Sequence, residues 1–181
     1  MVTIGGDTLG SKVNRPLVWQ GYPVSVGDRG TWLEDDVHYY NSDKDFVVFT
    51  HMKTYTSLDG IKIKVGETAK ENDNLTLSSY PNEWWLHVDG GPGAHVVVCH
   101  EEDTLPKETK RDAAFLAVHH SKPGNVKMVR VNLIRIDQVI KDDRIKNHGQ
   151  VYLDGQVMQL NVFPNKEKER LDRLLKNRHN N

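Results

Sequence analysis

The sequence predicts an α+β domain: a mostly antiparallel, curved sheet with one central packed helix and a C-terminal helix. Three observations carry this reading. Ile61-Lys62-Ile63-Lys64-Val65 alternates strictly, the period-two signature of a strand with one apolar and one basic face. Other short apolar runs are separated by turn residues, as at Asp89-Gly90-Gly91-Pro92-Gly93. Between Pro106 and His120, the residues Ala113, Leu116, Ala117 and His120 recur at helical spacing on one face.

In chain order, residues 1–45 come first. They hold four basic against seven acidic side chains, are rich in glycine and aromatics, and show no helical period. They read as an N-terminal extension of short strands or loops, ahead of a domain over 46–181. Phe46-Val47-Val48-Phe49 is a short buried-strand candidate, and Leu58-Asp59-Gly60 is a turn signal. Trp85 to Val88 and His95 to Cys99 read as further strands. The central helix begins at Pro106, since proline is tolerated in a first turn, and stops at Ser121-Lys122-Pro123-Gly124. Lys127 to Leu133 alternates again, with Val129, Val131 and Leu133 on one face. The phase flips at Ile134 and Ile136, which predicts a bulge or a turn. Gln150 to Val162 reads as a hairpin about Asp154-Gly155, a pair suited to type I′ turns. Asn165 can cap a last helix whose inner face is Leu171, Leu174 and Leu175. Glu169 with Arg173, and Asp172 with Lys176, have the favourable i, i+4 orientation. Arg178 to Asn181 are expected to fray.

Composition narrows the function classes. Hydrophobic residues make up 37% and charged residues 27% of 181, with 24 Lys+Arg against 25 Asp+Glu. That balance argues against a surface coated in basic residues and permits a local basic patch. Cys99 is the single cysteine, so no internal disulfide can form and a reducing compartment is expected. Its setting beside Val96, Val97 and Val98 suits a buried structural thiol better than a nucleophile. No run approaches the roughly 18 to 20 apolar residues that span a bilayer, and Met1 to Gly10 lack the features of a signal peptide. A cytoplasmic placement without membrane contact is expected. Walker, G-x-S-x-G and HExxH motifs are absent.

Two blocks go beyond pattern. One is Val65-Gly66-Glu67-Thr68-Ala69-Lys70-Glu71-Asn72-Asp73-Asn74-Leu75-Thr76. The other is Pro81-Asn82-Glu83-Trp84-Trp85-Leu86-His87-Val88, followed by Pro92-Gly93-Ala94-His95-Val96-Val97. Ala113-Ala114, Ser121-Lys122, Gly149-Gln150-Val151-Tyr152 and Val162-Phe163-Pro164 follow in order. Together these resemble the NFACT-R domain over about residues 46–176, and the chain is read as a stand-alone member. Glu83, Leu86, Ala94 and Glu67 depart from the family's usual residues. The resemblance implies a non-enzymatic RNA-binding module, contacting transfer or ribosomal RNA in translation or ribosome quality control, without a cofactor. Ribosome-associated proteins are possible further partners, and DNA stays open as a ligand.

The candidate RNA-binding residues are Lys62, Lys64, Lys70, Trp84, His87, His95, Lys122, Lys127 and Arg130. Lys62 and Lys64 form either a solvated row or, if Lys127 and Arg130 come near, a phosphate track. Gly66, Asn72, Asp73 and Gly93 are expected to shape loops. Gly66, Asn72 and Asp73 act either through turn chemistry or by presenting backbone N–H groups and Lys70 to phosphate. Trp85 is assigned to the core, leaving Trp84 as either a half-buried residue or a stacking platform for an unpaired base. His87 and His95 serve either internal hydrogen bonds or RNA. Metal ligation is not expected, because ligand pairs at zinc spacing are missing and His119 and His120, being adjacent, point apart. Two other readings stay in view: a protein-interaction adaptor in quality control, and a small RNA-modifying enzyme built around His87 and His95.

Overall fold

A computed structural model describes residues 52–142 and 145–179, together with the backbone of 37–40 and 46–49. Strands β1 (Val37–Tyr40) and β2 (Phe46–Phe49) pair antiparallel. Most of the expected N-terminal extension lies outside the described residues, as does the burial expected for Phe46 to Phe49. Next come β3 (Lys53–Thr56), β4 (Lys62–Gly66), α1 (Ala69–Ser78), β5 (Trp84–Val88) and β6 (His95–Val98). They are followed by α2 (Lys107–Ser121), β7 (Val129–Arg135), β8 (Val139–Ile140), β9 (Tyr152–Leu153), β10 (Met158–Val162), α3 (Lys168–Lys176) and β11 (Arg178–His179).

Seven strands form one sheet in the order β10-β7-β5-β6-β4-β3-β11, and each of these pairings is antiparallel. The α+β class read from the sequence is correct. Alternation along each strand divides the side chains between two faces. One face, with Ile63, Val65, Trp84, Leu86, Val96, Val98, Val131 and Leu133, packs against Ala113, Leu116 and Ala117 of α2 and Leu174 of α3. The opposite face carries a second cluster, in which Trp85, Val97 and Ile134 meet Leu75 of α1, with Ile136 and Val139 beside them.

The second cluster explains the phase flip at Ile134. Strand β7 pairs with β5 without interruption from Val88↔Val131 to Trp84↔Arg135, so no bulge occurs there. Ile134 is apolar because its own face is also covered, and the expected turn falls at Ile136–Gln138 as a single 3-10 turn.

Lys70, Asn72 and Asp73, expected in a turn or loop, lie inside helix α1, and that expectation is corrected. Thr68 is its N-cap: the Thr68 hydroxyl accepts from the Glu71 amide at 3.2 Å, and the Glu71 carboxylate accepts from the Thr68 amide at 3.0 Å. This is a capping box. The expected hairpin over Gln150 to Val162 does not form either. Strand β9 pairs with β8 and β10 pairs with β7, while the Asp154 amide donates to Gln138 O at 2.8 Å. Each strand finds a better-buried neighbour than the other. The last helix starts after Glu167, not at Asn165, and Leu175 is 42% exposed while Leu174 is fully buried. Arg173 bonds Asp112 on α2 at 2.6 Å, reaching across to a neighbouring helix. Arg178 and His179 are held in β11 against Tyr55 and Thr54, so they do not fray.

Candidate nucleic-acid interface

The polar half of the second face opens into a cleft of about 890 Å³. Its floor is Trp85, His87 and His95, from β5 and β6. Its walls are the Gly90–Gly93 loop, the end of α2 at His120, Ser121 and Lys122, and the loop over residues 147–150.

Two polar residues of α1 hold this shape. Asn72 is buried; its amide Nδ2 donates to Gly93 O at 3.0 Å, and its Oδ1 accepts from the His95 amide at 3.0 Å. The side chain thus does what a neighbouring strand would do for the start of β6. Gly66 is required beside it, because a Cβ there would lie 2.8 Å from Asn72 Oδ1. Asp73 serves the opposite wall, accepting from the Gly149 amide at 2.8 Å and His148 Nδ1 at 2.8 Å, with Lys141 Nζ at 3.0 Å. Gly93 allows close contact with α2: a Cβ would meet Ser121 Oγ at 2.3 Å, the atom that accepts from the Ala94 amide at 3.0 Å. Asn72 and Asp73 therefore set the loops from inside a helix, not as turn residues.

The three rings on the floor form an ordered set. His87 stacks nearly parallel on Trp85, with centroids 5.6 Å apart and planes 12° apart. His95 meets both edge-on, at 5.0 Å from Trp85 and 5.2 Å from His87. Burial pushes the His95 imidazole down to about 3, so the ring is neutral near pH 7, and its Nδ1 lies 2.9 Å from the Thr76 hydroxyl. Burial also lowers His87, against backbone hydrogen bonds involving Val88 and Gly93. His95 is enclosed, whereas His87 is half-buried and keeps a surface toward the cleft.

The carboxylates in the cleft walls are paired off. Glu67 accepts from His120 Nδ1 at 2.7 Å and lies 2.6 Å from Lys53 Nζ; His120 Nε2 then accepts from the Tyr55 hydroxyl at 2.7 Å. Burial works to raise the Glu67 carboxyl, but Lys53 and His120 outweigh it and hold it low. The Tyr55–His120–Glu67–Lys53 chain and His148 were not anticipated. Their partners lie far apart in sequence, and no local spacing announces them. His119 and His120 do not point apart: their rings meet edge to face at 4.9 Å.

The expected cations divide into two groups. Lys122 lines the cleft in a left-handed conformation at φ 48°, as the C-cap of α2. Lys70 follows Ala69, another lining residue, while Lys127 lies on the connection from α2 into β7 and Arg130 is the second residue of β7. Lys70, Lys122 and Lys127 are exposed and have no ion-pair partner among the described residues; Arg130 is 3.9 Å from Asp89. Lys62 and Lys64 are elsewhere. Strands β6 and β5 separate them from β7, and Lys64 aligns through Val97 and Trp85 with Ile134, not with Arg130. Lys64 is half-buried, and its charge opposes the rise that burial imposes on the Glu83 carboxyl. The structure does not bring Lys62 and Lys64 into one track with Lys127 and Arg130.

Trp84 is not a surface platform. It is 6% exposed on the α2 face, its indole Nε1 donates to Glu102 O at 3.1 Å, and the Arg135 guanidinium lies 4.0 Å over its ring. The aromatic surface open to the cleft belongs to His87, with the enclosed Trp85 behind it. Burial pushes the Cys99 thiol up to about 12, which suits an inert thiol. Among the described residues, no group of three or more His, Cys, Asp or Glu could hold a metal ion, and no helix is long and apolar enough to cross a membrane.

Known proteins supply the comparison. The family described as the NFACT protein RNA binding domain matches residues 37–159. The Rqc2 homolog RqcH of Bacillus subtilis (strain 168) is 33% identical over 106 residues, 58% of this chain and 18% of that protein. The Rqc2 homolog RqcH of Streptococcus suis is 35% identical over 116 residues, 63% of this chain and 20% of that protein. The chain spans about a fifth of the length of the curated relatives it matches. Among solved structures, the C-terminal part of the fibronectin/fibrinogen-binding protein from Streptococcus suis aligns with a TM-score of 0.63 at 27% identity, covering 77% of this chain and 54% of that one.

Proposed function

Because the chain belongs to the NFACT protein RNA binding domain family, we propose that it is a non-enzymatic module binding transfer or ribosomal RNA in ribosome quality control. The observation that carries this reading is the cleft, with its aromatic floor and Lys122 in its lining, exposed and without an ion-pair partner among the described residues. Lys70, next in sequence to the lining residue Ala69, and Lys127, five residues after Lys122, are likewise exposed. Phosphate contacts by such cations give affinity, and exposed rings give contact with bases. A binding role is also favoured by how the acid–base groups are used. Asp73 is committed to the Gly149 amide, Asn72 to Gly93 O and the His95 amide, and His95 is enclosed, so none of the three is poised for general acid–base work. The interface is then the cleft rim, with Lys62 and Lys64 outside it.

Fluorescence anisotropy with labelled transfer RNA, a single-stranded RNA and a matched DNA tests this. RNA should bind in preference to DNA. Lys122→Glu/Lys127→Glu should weaken binding about tenfold or more, and Lys62→Glu/Lys64→Glu should change it little. The reverse ranking would move the interface to β4. No binding to any nucleic acid would remove the RNA reading and favour a protein-interaction adaptor.

A further inference from the structure

Resting on that reading, we propose that the cleft is a receptacle for one unpaired RNA base, stacked on the open side of His87 with its phosphates at the rim. The floor is already a stack. Trp85 and His87 are parallel, with His95 set edge-on against both, so one broad side of the His87 ring is covered by Trp85. Trp85 and His95 are enclosed, and His87 is the ring of the three left partly open. A base entering there forms the third layer of Trp85–His87–base. Offset stacking of this kind is tolerant of base identity, because every base has a π-face.

Space and charge agree with this occupant. The volume of about 890 Å³ falls within the range of small-ligand sites, about 300–1,000 Å³, and accommodates a nucleotide. The rim at Gly90–Gly93 carries little side chain, and an added Cβ at Gly91 meets nothing within 4 Å. The carboxylates of the walls are already partnered, Glu67 by Lys53 with a hydrogen bond to His120, Asp73 by Lys141 with a hydrogen bond to His148. The interior therefore offers a phosphate no unpaired cation, while Lys122 at the mouth does. A neutral flat group inside and a phosphate outside is the arrangement of a nucleotide inserted base-first. A double helix cannot supply it, because its bases are already stacked and paired.

The test compares two RNAs on the whole chain: a blunt duplex, and the same duplex with a short single-stranded overhang ending in 2-aminopurine. The overhang RNA should bind more tightly, with quenching of the 2-aminopurine. His87→Ala should weaken overhang binding about tenfold to a hundredfold and leave the duplex unaffected, and His87→Phe, which keeps a flat ring, should restore most of it. Gly91→Leu, which adds bulk to the rim, should give the same selective loss without touching the floor. Equal affinity for the two RNAs, or equal losses on both, would overturn the receptacle and leave RNA binding standing. Failure to bind either RNA would overturn both readings. Tighter binding of free adenosine monophosphate than of the overhang RNA would overturn it in favour of a small-molecule site.

Discussion

At the residue scale, the site is defined by polar groups spent on structure. His95 shows the consequence most directly. It is buried, neutral, and held against Thr76, with its amide bonded to Asn72. Its folded-state value of about 3 lies below the ordinary 6.5, so between those values the unfolded chain binds a proton that the folded chain refuses. Stability from this group is complete above about pH 6.5 and is lost progressively as pH falls toward 3, at no more than about 1.4 kcal/mol per pH unit. Burial lowers His87, His119 and His120 in the same direction, so the total fall is steeper. Urea unfolding at pH 7.5, 6 and 5 checks this. His95→Gln should be less stable than the parent at pH 7.5, and the gap should narrow as pH falls. A gap that stays constant would mean that His95 titrates normally.

At the element scale, α3 illustrates how one buried carboxylate fixes a helix. Asp112 of α2 is fully buried, bonds the Leu58 amide at 2.9 Å, and takes both Arg170 and Arg173 from α3. Removing one partner of such a cluster strands the others. Asp112→Ala should cost about 3 kcal/mol, the low end of the range for buried pairs because both arginines partly reach solvent. Hydrogen exchange should then show α3 and β11 opening before the central sheet. Unchanged protection of α3 would show that Leu174 alone docks it. The same scale shows what was readable. The strands around Ile63 and Val131, and helix α2, were legible because each buries an apolar face at its natural period; those around Trp85 and Val97, covered on both faces, were legible as short continuous apolar runs. Helix α1 was not, because it buries Asn72, Asp73 and Thr76 alongside Leu75 and so lacks an apolar stripe. Its one local signal, the Thr68-to-Glu71 capping spacing, was in plain sight. The pairing of β9 with β8 was hidden for another reason: a turn-like Asp154-Gly155 says where the chain bends, not which strand lies beside it. The cleft was legible in part, through the resemblance, His87, His95 and Lys122. Its opposite wall depends on Asp73 reaching His148 and Gly149 across the chain, which no local pattern encodes.

At the scale of the whole molecule, the question is how a chain with a net charge of −1 holds a polyanion. Global attraction is absent, so affinity must come from a local set of cations, and that has a measurable signature. Each phosphate neutralised on single-stranded RNA contributes about −0.7 to the slope of log K against log salt. Lys70, Lys122, Lys127 and Arg130 would together give a slope of about −3 if each meets one phosphate. Lys122→Glu/Lys127→Glu should flatten it to about −1.5, whereas Lys62→Glu/Lys64→Glu should leave it near −3. Stacking in the cleft hardly depends on salt, so His87→Ala should lower the whole line without tilting it. Anisotropy titrations across roughly 50 to 300 mM salt separate the two contributions. A slope that no charge reversal changes would place the phosphate contacts outside this rim. A line tilted by His87→Ala would mean that the ring acts on the backbone of the RNA, not on its bases.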